Sequence, residues 1–333
     1  MTYTCGSLFS GIGGFCRGFH EAGIKTVWAT DLDEQVAKTY RYNFPETNFL
    51  HDSIENLNFS DLEGVDFVHA GFPCQSFSQA GERKGFDDPR GQLFNVMMDK
   101  LSASSWLPSI LVFENSPYLM IGDQGLWFDH VKTRINELGY WFTRHNAITV
   151  DTHKNCGLPQ KRERLFMFAC HKSHFDFNWF NFTPGVMPLR PIEDFLQTEQ
   201  SHAEEYYLGD DNKYGKMLID GAKRLQKNQL LQLRKYYFRE IEYGMCPTLT
   251  ANMGTGGHNV PFLLDSIGLR RLTERECLNL QGFPADFNFP EGLPKGARYR
   301  MIGNSVSPEV SSLIAKEILK VLEDRLDDYE LAV

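Results

Sequence analysis

Over residues 1–170, hydrophobic positions fall in short apolar runs separated by longer stretches with helical period, and this alternation predicts βα units around a mostly parallel sheet. Strands are expected near residues 3–9, 25–30, 48–50, 65–70, 109–113, 141–150 and 164–169. Helices fit between them over 13–22, 34–43, 92–101 and 128–138. The fold class is α/β, with a doubly wound, Rossmann-like sheet. Near residue 180 the rhythm stops. The stretch NWFNFTPGVMPLRP carries three prolines and no clear period, an acidic patch follows over 199–211, and a basic stretch comes next. A smaller second domain is expected over 183–296, flanked by a larger one made of 1–182 and 297–333. Residues 272–281 read as helix, 283–296 as a proline-rich loop, and 307–326 as a final amphipathic helix.

Composition excludes several classes. A chain of 333 residues with 42% hydrophobic and 23% charged residues has enough apolar material for one or two globular cores, so disordered and fibrous classes drop out. No apolar run approaches the ~20 residues that span a bilayer. The amino terminus, MTYTCGSLFSGIGGF, has no basic start or cleavage-type segment, and neither a membrane anchor nor a signal peptide is expected. The seven cysteines, at positions 5, 16, 74, 156, 170, 246 and 277, are odd in number and form no CxxC pair. That argues against a disulfide framework or a metal cluster and for a reducing, cytoplasmic setting.

A net charge of -9 speaks superficially against a polyanionic partner, but the charge is segregated. Residues 1–131 hold 8 basic and 17 acidic side chains. Residues 213–239 hold Lys213, Lys216, Lys223, Arg224, Lys227, Arg234, Lys235 and Arg239 against Asp220 alone, with Tyr236, Tyr237 and Phe238 interleaved. Such a run is either a solvated helical face or a phosphate-contacting surface.

The first predicted strand runs into Phe9-Ser10-Gly11-Ile12-Gly13-Gly14-Phe15, a glycine-rich turn opening a helix. Open α/β sheets bind ligands beyond the carboxyl ends of their strands, where glycine lets backbone approach a ligand closely. The dinucleotide fingerprint GxGxxG fails at Cys16, so a pyrophosphate is not demanded. Asp31 ends the second strand and Asp52 follows the third. Two such carboxylates suit a nucleoside, Asp31 for ribose and Asp52 for an adenine amino group, and a nucleoside without phosphate suggests S-adenosylmethionine. The alternative is that the glycines only form a tight turn. The fourth strand delivers Gly71-Phe72-Pro73-Cys74-Gln75-Ser76-Phe77-Ser78 to the same end. Cys5 and Cys170 lie on apolar strands as small hydrophobes, whereas Cys74 follows a proline in a polar loop. The fifth strand ends in Glu114-Asn115, beside the fourth. A thiolate nucleophile next to a carboxylic proton donor is the chemistry this offers. Gln160-Lys161-Arg162-Glu163-Arg164 adds two arginines, for a substrate carbonyl or phosphate, or else for surface ion pairs.

In order along the chain stand FSGIGGF, GFPCQSFS, DDPRGQLF, FENS, QKRER, TLTANMG, RRLTERECLNLQGFP and GNSV. With these motifs the chain resembles, over nearly its whole length, the DNA cytosine-5 methyltransferases of bacterial restriction-modification systems and their phages. The resemblance implies a class I S-adenosylmethionine-dependent methyltransferase domain with a smaller target-recognition domain. It implies methylation at C5 of a cytosine within a specific short double-stranded DNA sequence, through base flipping and a covalent cysteine adduct at C6, with S-adenosylhomocysteine as product. Cys74 is the implied nucleophile and Glu114 the acid contacting N3 and the amino group. Arg164 is expected to reach the base carbonyl and Arg162 to hold phosphate or the loop, while Asn115 and Pro73 position neighbours. Residues 75–94 resemble a mobile loop that closes over DNA. Phe9, Gly11, Gly13, Gly14, Asp31, Leu32, Asp52, Pro73, Leu93, Asn304 and Val306 match the family's cofactor pocket.

Thr248-Leu249 matches a Thr-Leu pair of the recognition domain. Gln75, Ser78, Lys223, Arg224, Arg234, Lys235, Arg239 and Thr248 are the candidate DNA contacts. Asn252, His258 and Asn259 either read bases or shape a glycine-rich turn. Three positions depart from the family pattern: Ser116-Pro117 stands where valine is usual, Leu32 where an aromatic often stacks on adenine, and His51 where glycine precedes the aspartate. Two alternatives are a tRNA cytosine-5 methyltransferase and a non-catalytic DNA-binding regulator. GFPCQ and the lack of a Cys-Phe-Thr tripeptide speak against the first; Cys74, Glu114 and both arginines speak against the second. The protein is expected to be a bacterial cytoplasmic monomer, working at the nucleoid and away from membranes. That leaves room for a cognate restriction endonuclease acting separately.

Overall fold

The computed structural model describes residues 2–78, 84–176, 182–198, 200, 202–209, 214–254 and 259–330, with side chains as far as residue 323. His258 and Lys213 lie outside the described residues. The chain divides into two compact units, one of Met1–Val150, Glu163–Gly185 and Val310–Val333, the other of Asp151–Arg162 and Val186–Glu309.

The first unit is built on a sheet whose strands β1 (Thr4–Leu8), β2 (Lys25–Asp31), β3 (Asn48–His51), β4 (Phe67–Ala70) and β5 (Ile110–Asn115) alternate with helices α1 (Gly14–Glu21), α2 (Glu34–Asn43) and α3 (Pro89–Ser102). They pair in the order β3-β2-β1-β4-β5, all parallel. Every residue of β5 is buried, as a central parallel strand demands. The chain winds outward in both directions from β1, so the crevice beyond the carboxyl ends of β1 and β4 is the topological switch point. Asp33 and Asp88 cap α2 and α3, each accepting backbone N–H groups of the first turn. The Asp88 cap, with Pro89 as the first helical residue, starts α3 three residues before the apolar pattern does.

After α4 (Leu126–Glu137) come β6 (Tyr140–Trp141), β7 (Ala147–Asp151) and β8 (Glu163–His171). The single strand expected over 141–150 is therefore two. Asn146 Oδ1 accepts from Thr143 N at 2.9 Å and Thr143 Oγ1 at 3.0 Å, and this local bonding replaces the ladder with a turn. β8 enters antiparallel to β5, with Asn115 opposite Leu165, and β6 pairs antiparallel on its other side. The sheet is thus mixed at this edge and mostly parallel elsewhere, an α/β architecture. Aromatic and aliphatic side chains from β4, β5, β8 and α3 fill the core, among them Phe67, Val68, Phe94, Leu111, Phe113 and Met167, each at most 2% exposed.

The second unit contains α5 (Thr152–Cys156), α6 (Gly215–Ala222), β9 (Leu230–Leu233), β10 (Phe238–Glu240), β11 (Pro261–Leu264), β12 (Leu269–Arg271), α7 (Glu274–Gln281) and α8 (Lys295–Asn304), and the chain ends in α9 (Pro308–Glu330). Its strands form an antiparallel sheet in the order β10-β9-β11-β12. Leu218 and Ala222 of α6 pack on Leu231, Leu233, Phe262 and Leu269. The basic stretch is therefore no single helical face, being divided between α6 and the β9–β10 hairpin. α8 starts just after Pro294, at the end of a proline-rich stretch, and carries glycine at 296 and 303 with few large apolar side chains, so it gives little helical signal in the sequence. Arg270 is fully buried. Its guanidinium binds Asp265 at 2.6 Å and both oxygens of Glu276 at 2.8 Å, while Glu276 also accepts the amides of Thr273 and Gln197. Paired in this way, the buried charges tie β12, α7 and the preceding loop together.

Candidate active site

The carboxyl edge of the parallel strands collects the chemistry of the first unit. Leaving β1, the backbone takes positive φ at Phe9 (53°), Gly11 (54°) and Gly13 (88°), and Gly13 N closes the turn onto Ser10 O at 3.0 Å. A β-carbon on Gly13 would meet Phe44 at 2.3 Å, whereas one on Gly11 would meet nothing within 4 Å. Gly13 is thus required by packing, and the space over Gly11 is open to a ligand. Asp31 at the end of β2 accepts Gly11 N at 2.9 Å and Asp33 N at 3.1 Å. Burial raises its pKa above the ordinary aspartate value, and the two amides oppose that shift. Asp52, exposed after β3, is held by Asn56 Nδ2 at 2.7 Å and the Ser53 amide, which lower its pKa. His51 has a use of its own. Its Nε2 donates to Leu32 O at 3.0 Å, tying the ends of β2 and β3 together. Leu32 itself is 67% exposed at this edge. Phe9, Gly11, Gly13, Gly14, Asp31, Leu32 and Asp52 are therefore assembled on adjacent strands, with Leu93 packed on the core from α3.

One strand further along, β4 delivers Cys74 in a loop whose Cys74 O accepts Phe77 N at 3.0 Å. The thiol is half-buried and not in a disulfide. Phe72 and Phe77 anchor the loop in the core, while Gln75 is exposed and Pro73 and Ser78 are half-buried. Neighbouring β5 ends in Glu114 and Asn115. Asn115 Nδ2 donates to Phe72 O at 3.1 Å, fixing the cysteine loop to the strand that bears the carboxylate. Gly71 lies against Glu114, since a β-carbon there would sit 3.5 Å from Oε2. Arg164 Nε meets Glu114 Oε1 at 3.1 Å, and both side chains are mostly buried. This pair exists because β8 is antiparallel: the beginning of an antiparallel strand lies at the carboxyl edge of its parallel neighbours. With strands about 5 Å apart, thiol, carboxylate and guanidinium occupy three successive positions along the edge.

Arg162 meets a different fate two residues earlier. It is 3% exposed, and its guanidinium donates to Leu249 O, Gly303 O and Ser305 O, each at 2.9 Å. It clamps backbone of the second unit, joining the TLT and GNS segments. Two buried glutamines that the sequence reading did not single out complete this clamp. Gln160 donates to Leu280 O and Gln281 Oε1 and accepts Leu249 N, and Gln281 donates to Ser305 O. Their signal in the sequence was an amide side chain inside two of the strings that carry the resemblance, QKRER and RRLTERECLNLQGFP. Thr248 Oγ1 donates to Lys161 O at 2.6 Å. Asn304, exposed, and Val306, half-buried, also belong to the second unit.

Of the candidate DNA contacts, Lys223, Arg224, Lys235 and Arg239 are exposed. Arg234 is half-buried, donating to Asn259 Oδ1 at 2.6 Å, and Arg239 Nε donates to the buried Gln232 Oε1 at 2.8 Å. Lys235 lies over the ring of Tyr236, which is 76% exposed. Asn252 bonds Thr250 rather than projecting alone. Among the described residues no cluster of His, Cys, Asp or Glu could hold a metal ion, and no helix is long and apolar enough to cross a membrane.

Comparison with known proteins gives this arrangement a context. A family model described as C-5 cytosine-specific DNA methylase matches residues 3–320. The type II methyltransferase M.Bsp6I of Bacillus sp. (strain RFL6) is 37% identical over 319 residues, covering 94% of this chain and 98% of its own. The type II methyltransferase M.NgoBI of Neisseria gonorrhoeae is 33% identical over 305 residues, covering 91% and 89%. In fold, the chain is similar to the S. pombe Dnmt2 methyltransferase, with a TM-score of 0.70 and 20% identity, covering 94% of this chain and 97% of that one.

Proposed function

The chain belongs to the C-5 cytosine-specific DNA methylase family, which makes it a DNA cytosine-5 methyltransferase, and on that premise we propose that Cys74 attacks C6 of a cytosine turned out of duplex DNA. The observation that supports this reading is the half-buried Cys74 loop bonded to the strand end that carries the Glu114–Arg164 pair. In the proposed step the Cys74 thiolate forms a bond to C6. The electron pair displaced from the C5–C6 double bond makes C5 nucleophilic, and Glu114, protonated at that moment, holds N3 so that negative charge does not build up on the ring. Arg164 keeps the carboxyl in place and offers its remaining N–H groups to the base carbonyl. Once C5 is substituted, its proton leaves to solvent or a water-borne base, the double bond re-forms and the sulfur departs.

The methyl donor that suits the first unit is S-adenosylmethionine. When bound it supplies an electrophilic methyl group. The open space over Gly11 and the half-buried Asp31 carboxylate, with lone pairs left after its bonds to the Gly11 and Asp33 amides, fit a ribose without a pyrophosphate. Leu32 and Asp52 would flank the adenine. Extrusion of the base costs a few kcal/mol, which phosphate contacts by Lys223, Arg224, Lys235 and their neighbours would offset.

The test is transfer of labelled methyl from S-adenosylmethionine to duplex DNA and, in parallel, to tRNA. Wild type is expected to label duplex DNA. Cys74→Ala is expected to lose transfer while cofactor affinity, measured by calorimetry, stays within about two-fold, a difference of under ~0.5 kcal/mol. Undiminished turnover in that variant would falsify the nucleophile assignment.

A further inference from the structure

Trp127, the second residue of α4, touches the exits of both catalytic loops. Its indole is gripped between two glycines. A β-carbon on Gly85 would lie 2.2 Å from Trp127 Nε1, and one on Gly122 would lie 2.1 Å from Cε3. Gly85 also holds φ at +55°. On the cysteine side, Phe77 meets the indole edge to face at 5.5 Å, Phe77 N bonds Cys74 O, and Gly85 N bonds Ser76 O, so the grip reaches the nucleophile through two short links. On the carboxylate side, the chain leaves Asn115 through Ser116-Pro117, the departure from the family pattern noted in the sequence. Tyr118 packs 6.1 Å from the indole, and Gly122 closes on the indole's other end. The chain then turns into α4 through Asp123, Gln124 and Gly125, three successive left-handed residues with φ of 48°, 55° and 93°. Left-handed backbone is unfavourable at non-glycine residues such as Asp123 and Gln124. This turn is what sets Trp127 between Gly85 and Gly122.

We infer that Trp127 is a positioning residue for the methyl transfer: its indole keeps the Cys74 loop in register with the Glu114 strand end. The inference rests on the assignment of Cys74 as nucleophile. Trp127 touches no reacting atom. Its effect comes through the loop, where a displacement of about 1 Å of a reacting group can lower a rate ~100-fold.

The full-length protein carrying Trp127→Ala, Trp127→Phe or Gly122→Ala provides the test, read with duplex DNA in which the target cytosine carries fluorine at C5. Fluorine cannot leave as a proton, so the Cys74 adduct accumulates and its rate of formation can be followed. Trp127→Ala is expected to slow adduct formation and kcat together by ~10- to 100-fold, with the KM for the methyl donor within two-fold. Trp127→Phe, which keeps a ring in the slot, is expected to recover most of the rate. Should the alanine variant not fold, Gly122→Ala pushes the indole aside without emptying the core and is expected to slow adduct formation likewise. Adduct formation at the wild-type rate in folded Trp127→Ala or Gly122→Ala overturns the inference. So does a parallel loss in kcat, donor KM and thermal stability that phenylalanine does not rescue. Absence of any adduct in wild type would instead overturn the nucleophile assignment.

Discussion

Replacement of Arg162 separates stability from chemistry in a way the sequence motif does not announce. The guanidinium makes three hydrogen bonds of 2.9 Å to the carbonyls of Leu249, Gly303 and Ser305 and is 3% exposed. A hydrogen bond to a charged group contributes about 1.5–3 kcal/mol, but three that share one donor group do not add. The ~3–5 kcal/mol seen when a buried charged network is broken is the appropriate bound. Set against a total stability of about 5–15 kcal/mol, that is a large fraction. In urea titrations Arg162→Ala should show a markedly lower midpoint. Arg162→Lys should recover only part of it, because a compact ammonium cannot span three carbonyls as a planar fork does. Arg164→Ala should divide the effects differently, with a smaller loss of about 1–3 kcal/mol for one mostly buried contact and a large fall in kcat, since Glu114 loses the guanidinium at 3.1 Å. Arg162→Ala as stable as wild type, or Arg164→Ala the less stable of the two, would refute the division of roles.

Two further outcomes follow from particular residues. His69 on β4 is fully enclosed, near Ser7, Cys16 and the stacked ring of Phe15, and burial lowers its pKa to about 3. The neutral ring is favoured in the native state, so its contribution is whole above the unfolded value near 6.5 and is lost as the pH falls from there toward 3. Between pH 6.5 and 5 wild type should lose stability at up to ~1.4 kcal/mol per pH unit, a slope that His69→Leu should lack. Arg239 is held by the buried Gln232 through Nε, leaving its exposed terminal nitrogens for a base edge. Bisulfite sequencing of DNA exposed to Arg239→Ala should show a relaxed target at one position, whereas Lys223→Ala should keep the target and reduce the salt slope of DNA binding by about 1. Identical methylation patterns in wild type and Arg239→Ala would remove that residue from base reading.

Some features were written into the chain locally. The alternation of apolar runs and helical stretches fixes β1 to β5 and α1 to α4 almost to their boundaries, because burial of both faces of a parallel sheet imposes short continuous apolar runs and burial of one helix face imposes a period of 3.6. The rule that ligands bind beyond the carboxyl ends then puts Gly11, Asp31, Cys74 and Glu114 on one edge before any coordinates are seen. What only the tertiary structure decided concerns groups whose partners are distant in sequence. The antiparallel entry of β8 brings Arg164 to Glu114 from fifty residues away. Arg162, two residues earlier, belongs to the second unit and binds carbonyls of that unit more than eighty residues on. The strands of the small sheet, β9 to β12, are three or four residues each, too short to show a period. The Trp127 grip depends on two glycines that look, in the chain, like ordinary loop residues. Periodicity records which face a residue buries, but the identity of the atom it meets there depends on how whole elements pack, and no short stretch of sequence carries that information.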